Sequence, residues 1–140
     1  MLTPTELTGQ YALAERDGLR ILIVGAGIAG VTAARLLRRD GHHPVLVERA
    51  VDGGHLGYML ALMPMVDPVL DDLRIRERYR ERSVPLDRYA MHAHTGRVLR
   101  EDSLGEILAR FGDYRGIARG ELIEALTPDG CPVTFGTTVT

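Results

Sequence analysis

Leu19-Arg20-Ile21-Leu22-Ile23-Val24-Gly25-Ala26-Gly27-Ile28-Ala29-Gly30 decides how the rest of this sequence is read. The first six residues form a short, mostly apolar, partly β-branched run, the composition of a strand buried on both faces of a parallel sheet. Three glycines at G-x-G-x-x-G spacing follow without a gap. Gly25 permits a tight turn out of the strand. Gly27 keeps a side chain away from an approaching phosphate, and Gly30 lets a helix pack closely on the strand. A helical pattern runs to Asp40, with Ile28, Val31, Ala34 and Leu37 at core spacing and Arg35, Arg38 and Arg39 solvated. Ala34 keeps the helix–sheet contact thin, and Gly41 ends the helix as a left-handed C-cap. Pro44 to Glu48 is a second short strand. Its terminal carboxylate falls about 20 residues beyond the glycines, where it can accept ribose hydroxyls.

Residues 19–48 therefore read as one strand–helix–strand unit whose helix N-terminus offers unpaired amides and a dipole to a diphosphate. The fold expected is α/β, a Rossmann-type three-layer FAD/NAD(P)-binding fold. Spacing alone does not separate FAD from NAD, because both present an ADP half. Glu48 opposes the 2′-phosphate of NADP, although the adjacent Arg49 softens that repulsion.

Working outward, residues 1–18 read as an N-terminal extension. Thr3-Pro4-Thr5-Glu6 has the pattern of a capping box for a helix to about Arg16, and a frayed terminus is the alternative. Beyond Glu48, Arg49 to Gly57 is a glycine-rich loop containing Gly53, Gly54 and Gly57. Asp67-Pro68 reads as the start of a helix through Leu73, and the dense mixed charges of Asp71–Arg82 as a solvated helical face. Tyr89–His94 and Arg97–Arg100 flank a Thr95-Gly96 turn, the signature of a hairpin. Ser103 and Glu106 make a second capping-box pattern for a helix through Arg110. Gly120–Leu126 reads as a short helix, and Val133–Val139 as a last strand, the third of the parallel sheet.

Composition narrows the function classes. The 140 residues carry 17 basic and 19 acidic side chains, a formal charge of −2, so no basic excess points to nucleic acid or an anionic membrane. Tryptophan is absent and aromatics reach only 5%, which leaves no stacking platform for single-stranded bases. Cys131 is the single cysteine, so neither an intrachain disulfide nor a two-cysteine metal motif is available. No signal-peptide pattern or run of ~18 apolar residues is present, and the expected location is the cytoplasm. His92 and His94 share one face of a strand without an evident third ligand, so no metal site is expected. His42, His43 and His55 fall in loops. Met59, Met63 and Met65 read as core packing, and no Ser–His–Asp or paired-carboxylate arrangement stands out.

The run Ile21–Arg49, with its glycine loop and terminal Glu48-Arg49, resembles the opening of the FAD-dependent aromatic-ring hydroxylases, single-component flavoprotein monooxygenases related to p-hydroxybenzoate hydroxylase. Gly57-Tyr58-Met59-Leu60-Ala61-Leu62 through Leu73 is similar to the loop and helix that follow in that family. Arg119-Gly120-Glu121-Leu122 with Leu126 is similar to its Arg-x-x-Leu-x-x-x-Leu segment. The resemblance implies that Gly25, Gly27, Ala29 and Gly30 hold the FAD pyrophosphate and Glu48 the adenosine ribose, with Arg49 and Arg119 beside the cofactor. Arg119 suits that role, since a guanidinium pairs with phosphate oxygens as a fork. In a complete relative NADPH or NADH would be the co-substrate.

Leu73-Arg74-Ile75 departs from the family, which commonly has Leu-Gly-Leu there. Two later family motifs, an Asp-Gly segment of the next strand and a Gly-Asp segment, are not found in their family contexts; the Asp-Gly pairs at 17–18, 52–53 and 129–130 sit in turns. The fold is therefore expected to be incomplete at its C-terminus, with residues 19–140 as the N-terminal part of an FAD-binding domain and the start of a substrate-domain sheet near 88–100. The function expected is that of the FAD-binding part of a flavin-dependent monooxygenase without independent catalysis. A non-catalytic nucleotide- or partner-binding module and part of an NAD-dependent oxidoreductase are the alternatives. An unpaired apolar edge at Ile21–Val24 would make self-association or a complementing C-terminal chain the expected partners, besides FAD.

Overall fold

A computed structural model describes residues 1–54 and 57–139. His55, read above as a loop residue, lies outside them. In chain order the first elements are β1 (Leu2–Pro4), α1 (Leu7–Ala14), β2 (Leu22–Val24), α2 (Ile28–Arg39) and β3 (Val45–Val47). Then come β4 (Met59–Leu62), a 3-10 turn (Pro64–Val66), α3 (Asp67–Asp72), α4 (Arg76–Arg82), β5 (Val84–Pro85), β6 (Tyr89–His92) and β7 (Val98–Asp102). The last are α5 (Leu104–Leu108), β8 (Arg115–Ala118), α6 (Arg119–Leu126) and β9 (Cys131–Val133). They form two compact units, one of Met1–Gly57 with Arg119–Thr140 and one of Tyr58–Ala118.

The first unit is the Rossmann-type body. β2 pairs in parallel with β3, Ile23 opposite Leu46. A parallel bridge between Val47 and Thr134 carries the ladder on to β9, and β1 pairs in parallel with β9 on the far side. The lateral order is thus β2-β3-β9-β1. All three residues of β3 are buried, as expected of a central strand covered on both faces. Val31 and Ala34 of α2 and Leu122, Ile123, Ala125 and Leu126 of α6 complete this core. A Cβ on Gly30 of α2 would come within 3.3 Å of Ile23 Cγ2, so α2 lies on the face that Ile23 shares with Leu46. Strand side chains alternate, and the opposite face of β3, Val45 and Val47, packs against Ala14 and Leu7 of α1. Gly41 ends α2 at φ +87°, with the His42 amide donating to Leu37 O at 2.9 Å, the C-cap its position predicted.

Two expectations for this unit change. Residues 1–14 are neither frayed nor opened by a capping box. Thr3 lies in β1, and α1 begins at Leu7 with Glu6 at the cap position making no side-chain cap bond. What holds the segment is Gln10, only 4% exposed. Its Oε1 accepts the Leu46 amide at 2.9 Å, while Nε2 donates to Leu46 O at 3.0 Å and Thr134 Oγ1 at 2.8 Å. A side-chain amide here supplies donor and acceptor to a strand, as a neighbouring backbone would. Second, β2 is not buried on both faces. Leu22 is 44% and Val24 63% exposed, because α1 covers β3 on that side and reaches no further. The last strand is also shorter than the expected 133–139, ending at Val133 with Thr134 as a single bridge.

In the second unit β8 is flanked antiparallel by β4 and β5. β6 and β7 form the hairpin predicted near 88–100, with Gly96 in the turn at φ +84°. Leu70, Leu73, Ile75, Tyr79 and Ile117 are among its buried residues. The methionines are not core: Met59 is 65% and Met65 81% exposed. Nor is the charged stretch simply solvated. Arg76 pairs with Asp67, Asp71 and Asp113, and Arg80 with Asp113 at 2.8 Å. The Arg80 hydrogen bond is the main reason the Asp113 carboxyl titrates below its ordinary range. Ser103 sits at the cap of α5 without capping it through its side chain. Arg74, where the family has glycine, keeps a left-handed conformation at φ +54°, so the turn survives the substitution. No helix among the described residues is long and apolar enough to cross a membrane.

Candidate functional site

The glycine loop joins the end of β2 to the start of α2. Gly25 turns the chain at φ +101°, a conformation a side chain would strain, and its amide donates to Val47 O at 2.7 Å. A Cβ on Gly30 would stand 2.0 Å from Gly25 O, so only glycine permits this contact between loop and helix. Gly27 differs. It caps α2 in extended backbone, and the nearest atom to its imagined Cβ is Arg119 Nη2 at 4.0 Å. Space at Gly27 therefore opens toward a guanidinium, which suits the passage of an anion. The amides of Ile28, Ala29 and Gly30 occupy the first turn of α2, which carries no acidic residue of its own, so the helix does not neutralise the positive end of its dipole from within.

Glu48 follows β3. Its Oε2 accepts the Ala26 amide at 2.8 Å and its Oε1 the Ala50 amide at 2.9 Å. These bonds, Ala50's first, hold its carboxyl below the ordinary carboxylate range against partial burial. The ionised carboxylate keeps lone pairs for further donors.

Ala26, Glu48 and Arg119 line one cleft of about 100 Å³, together with Leu2, Ala50, Asp52, Gly53, Gly54 and Phe135. Three of the predicted positions, Gly27, Glu48 and Arg119, thus meet at or beside it. Arg49 is exposed and is not among the cleft-lining residues. Leu2 and Phe135 were missed, since neither belongs to a local pattern. His92 is exposed, its Nδ1 3.3 Å from Gly96 O, and no group of three metal-ligating side chains occurs among the described residues.

A profile described as an NAD(P)-binding Rossmann-like domain matches residues 23–58. The chain is 35% identical over 117 residues to 6-hydroxynicotinate 3-monooxygenase of Pseudomonas fluorescens, covering 79% of this chain and 30% of that enzyme. It is 33% identical over 93 residues to 3-hydroxybenzoate 6-hydroxylase of Klebsiella oxytoca, covering 59% of this chain and 23% of that one. The chain is a homologue of the FAD-dependent aromatic hydroxylases. The crystal structure of CtdE in complex with FAD and a substrate matches at a TM-score of 0.70 and 26% identity, over 87% of this chain and 31% of that one. The chain spans about 30% of the length of the curated monooxygenases that it matches first. The profile match over residues 23–58 takes in the glycine loop and Glu48.

Proposed function

We propose that the chain binds FAD through its ADP half and serves as the dinucleotide-binding part of a flavin-dependent monooxygenase. The observation that carries this is the meeting of Ala26, Glu48 and Arg119 at one cleft beside Gly27. The residues fit the group. Gly25 would turn the chain around the pyrophosphate, Gly27 leave it open space, Ala29 and Gly30 present amides of the first helical turn, and Arg119 a guanidinium. Glu48 would take the ribose hydroxyls, with the exposed Arg49 beside it. The fit is to a dinucleotide without a 2′-phosphate, which a carboxylate in that place repels.

When bound, the flavin supplies hydride acceptance from NADPH or NADH and activation of oxygen toward an aromatic substrate. This chain's residues bind and orient: the helix dipole and Arg119 neutralise phosphate charge, and Glu48 fixes the ribose. Residues 19–140 are read as the N-terminal part of the FAD-binding domain, with β6–β7 as the start of a substrate-domain sheet. The exposed Leu22 and Val24 support a second copy or a complementing C-terminal chain as partner. A cytoplasmic setting fits the lone thiol.

The test is titration with FAD, NAD and NADP. A flavin spectrum retained through gel filtration, uncontested by NADP, is the expected result; preference for NADP would overturn the reading.

A further inference from the structure

The backbone of β2 faces two ways. Val45 donates its amide to Ile21 O at 2.9 Å, and Gly25 donates its own to Val47 O at 2.7 Å. Residues 21, 23 and 25 therefore direct their polar groups at β3. Backbone groups alternate along a strand, which turns the N–H and C=O of Leu22 and Val24 toward the opposite edge. Arg20 stands at the next outward step, just before the strand. No strand pairs with this edge among the described residues, and such an edge is a template for another strand.

The side chains beside the edge narrow the choice of partner. Leu22 stands opposite Val45, on the face that α1 covers. A groove of about 390 Å³ opens there, and Tyr11, Glu15, Arg20 and Leu22 are among the residues that line it. α1 carries no charged side chain, and Tyr11, Leu13, Leu19, Leu22 and Val24 are exposed. Glu15 and Arg20 are the two charged side chains of the groove, opposite in sign and exposed. Neither takes part in an ion pair among the described residues. A twofold axis sets an acid and a base that share one patch each against its counterpart.

We infer that the partner of this edge is a second copy of the chain, β2 pairing antiparallel with β2 about a twofold axis at Ile21, with Arg20 of each copy reaching Glu15 of the other. The inference rests on the reading of the β2 edge as a partner surface and commits it to one partner. In this register Arg20 and Leu22 of one copy stand across from Leu22 and Arg20 of the other as hydrogen-bonded pairs, which uses their outward backbone groups. The Arg20 stem then lies along Leu22 of the other copy, and its guanidinium extends over the groove toward Glu15. An unlike chain would have to bring an acid and a base at the same spacing; a copy brings them by symmetry.

The experiment is analytical sedimentation of the full chain over a range of concentrations, without nucleotide, beside Arg20→Glu, Glu15→Arg and the two combined. The expected result is a wild-type dimer whose dissociation constant rises about tenfold or more in each single reversal, where like charges then face each other. Reversing both should bring it back to within about threefold of wild type. Ile21→Cys reports the register. Opposed Cα atoms of a non-hydrogen-bonded antiparallel pair stand about 4.5 Å apart, within disulfide reach, so Ile21→Cys should cross-link in air and Leu19→Cys should not. The native Cys131 is buried and stays out of the reaction. A monomer at every concentration overturns the partner reading of the edge and this inference with it. A dimer indifferent to both reversals, unrestored by the double one, or cross-linked through Leu19→Cys and not Ile21→Cys, overturns the inference alone. The FAD reading stands apart from all of these, because no dinucleotide enters the measurement.

Discussion

The Glu48 carboxylate accepts the amide hydrogen of Ala26 at 2.8 Å, so the residue that ends the second dinucleotide strand also braces the loop that follows the first. On the proposed reading, ribose binding and the geometry of the glycine loop pass through one side chain. Glu48→Ala should weaken ADP or FAD binding by about 1–3 kcal/mol, the scale of lost charged hydrogen bonds, as measured by calorimetry. The carboxyl's folded pKa lies below its ordinary 4.5. Its stabilising contribution is thus complete above that value and is lost as pH falls through the folded one. Affinity should stay level from neutral pH to about 5 and decline only below 4.5.

Gly27 and Gly30 are three residues apart and should fail in different ways. A Cβ at Gly30 meets Gly25 O at 2.0 Å, so Gly30→Ala should lower stability by at least about 1–3 kcal/mol, the cost of forced backbone shifts. At Gly27 a Cβ meets nothing nearer than Arg119 at 4.0 Å. Gly27→Val should therefore fold and lose the dinucleotide. Urea denaturation alongside FAD titration separates the two, and a folded Gly27→Val chain with unchanged affinity would exclude this loop as the phosphate site.

Gln10→Leu should cost about 1–3 kcal/mol. It strands the buried Leu46 amide, whose hydrogen bond goes to Gln10 Oε1, and an unsatisfied buried donor carries its full desolvation cost. The urea midpoint should fall with an unchanged slope.

Arg74 holds a left-handed conformation at φ +54°, which an L side chain adopts at a cost of about 1–2 kcal/mol. Arg74→Gly should recover about half of that, since glycine also gains freedom in the unfolded chain. A raised urea midpoint is the expected reading; a lowered one would show that the arginine side chain contributes more than its backbone loses.

Leu22 and Val24 lie at the rim of the sheet with one face open, and among the described residues no strand pairs with the outer edge of β2. Open apolar edges recruit partners. Gel filtration should show association that rises with concentration and falls in Val24→Lys. A monomer at all concentrations would remove the case for a partner there.

The glycine loop and helix caps within residues 19–48 were legible because what shapes them is mostly local. The turn at Gly25, the close approach at Gly30 and the cap at Gly41 are each set by residues within a few positions. The exposure of Leu22 and Val24 was not legible, because the pattern of a buried strand states what a strand can bury and not what covers it. β1 escaped for a related reason: three residues have no period to speak of, and their partner lies at the other end of the chain. The same distance hid Leu2 and Phe135 from the site. Met59 and Met65 read as core by residue type alone, and Asp67 met Arg76 and Asp113 only through the fold of the second unit.

The pairing of Leu2–Pro4 with Cys131–Val133 also sets a timetable. Leu2–Pro4 precede β9 by more than a hundred residues and cannot take their place in the sheet until β9 has been synthesised, and closing so long a loop is slow. Until then Leu2 has no partner strand. The strand–helix–strand core can collapse much earlier, from contacts close in sequence. Folding should accordingly finish with β1, the last piece to dock and the first to detach under mild denaturant.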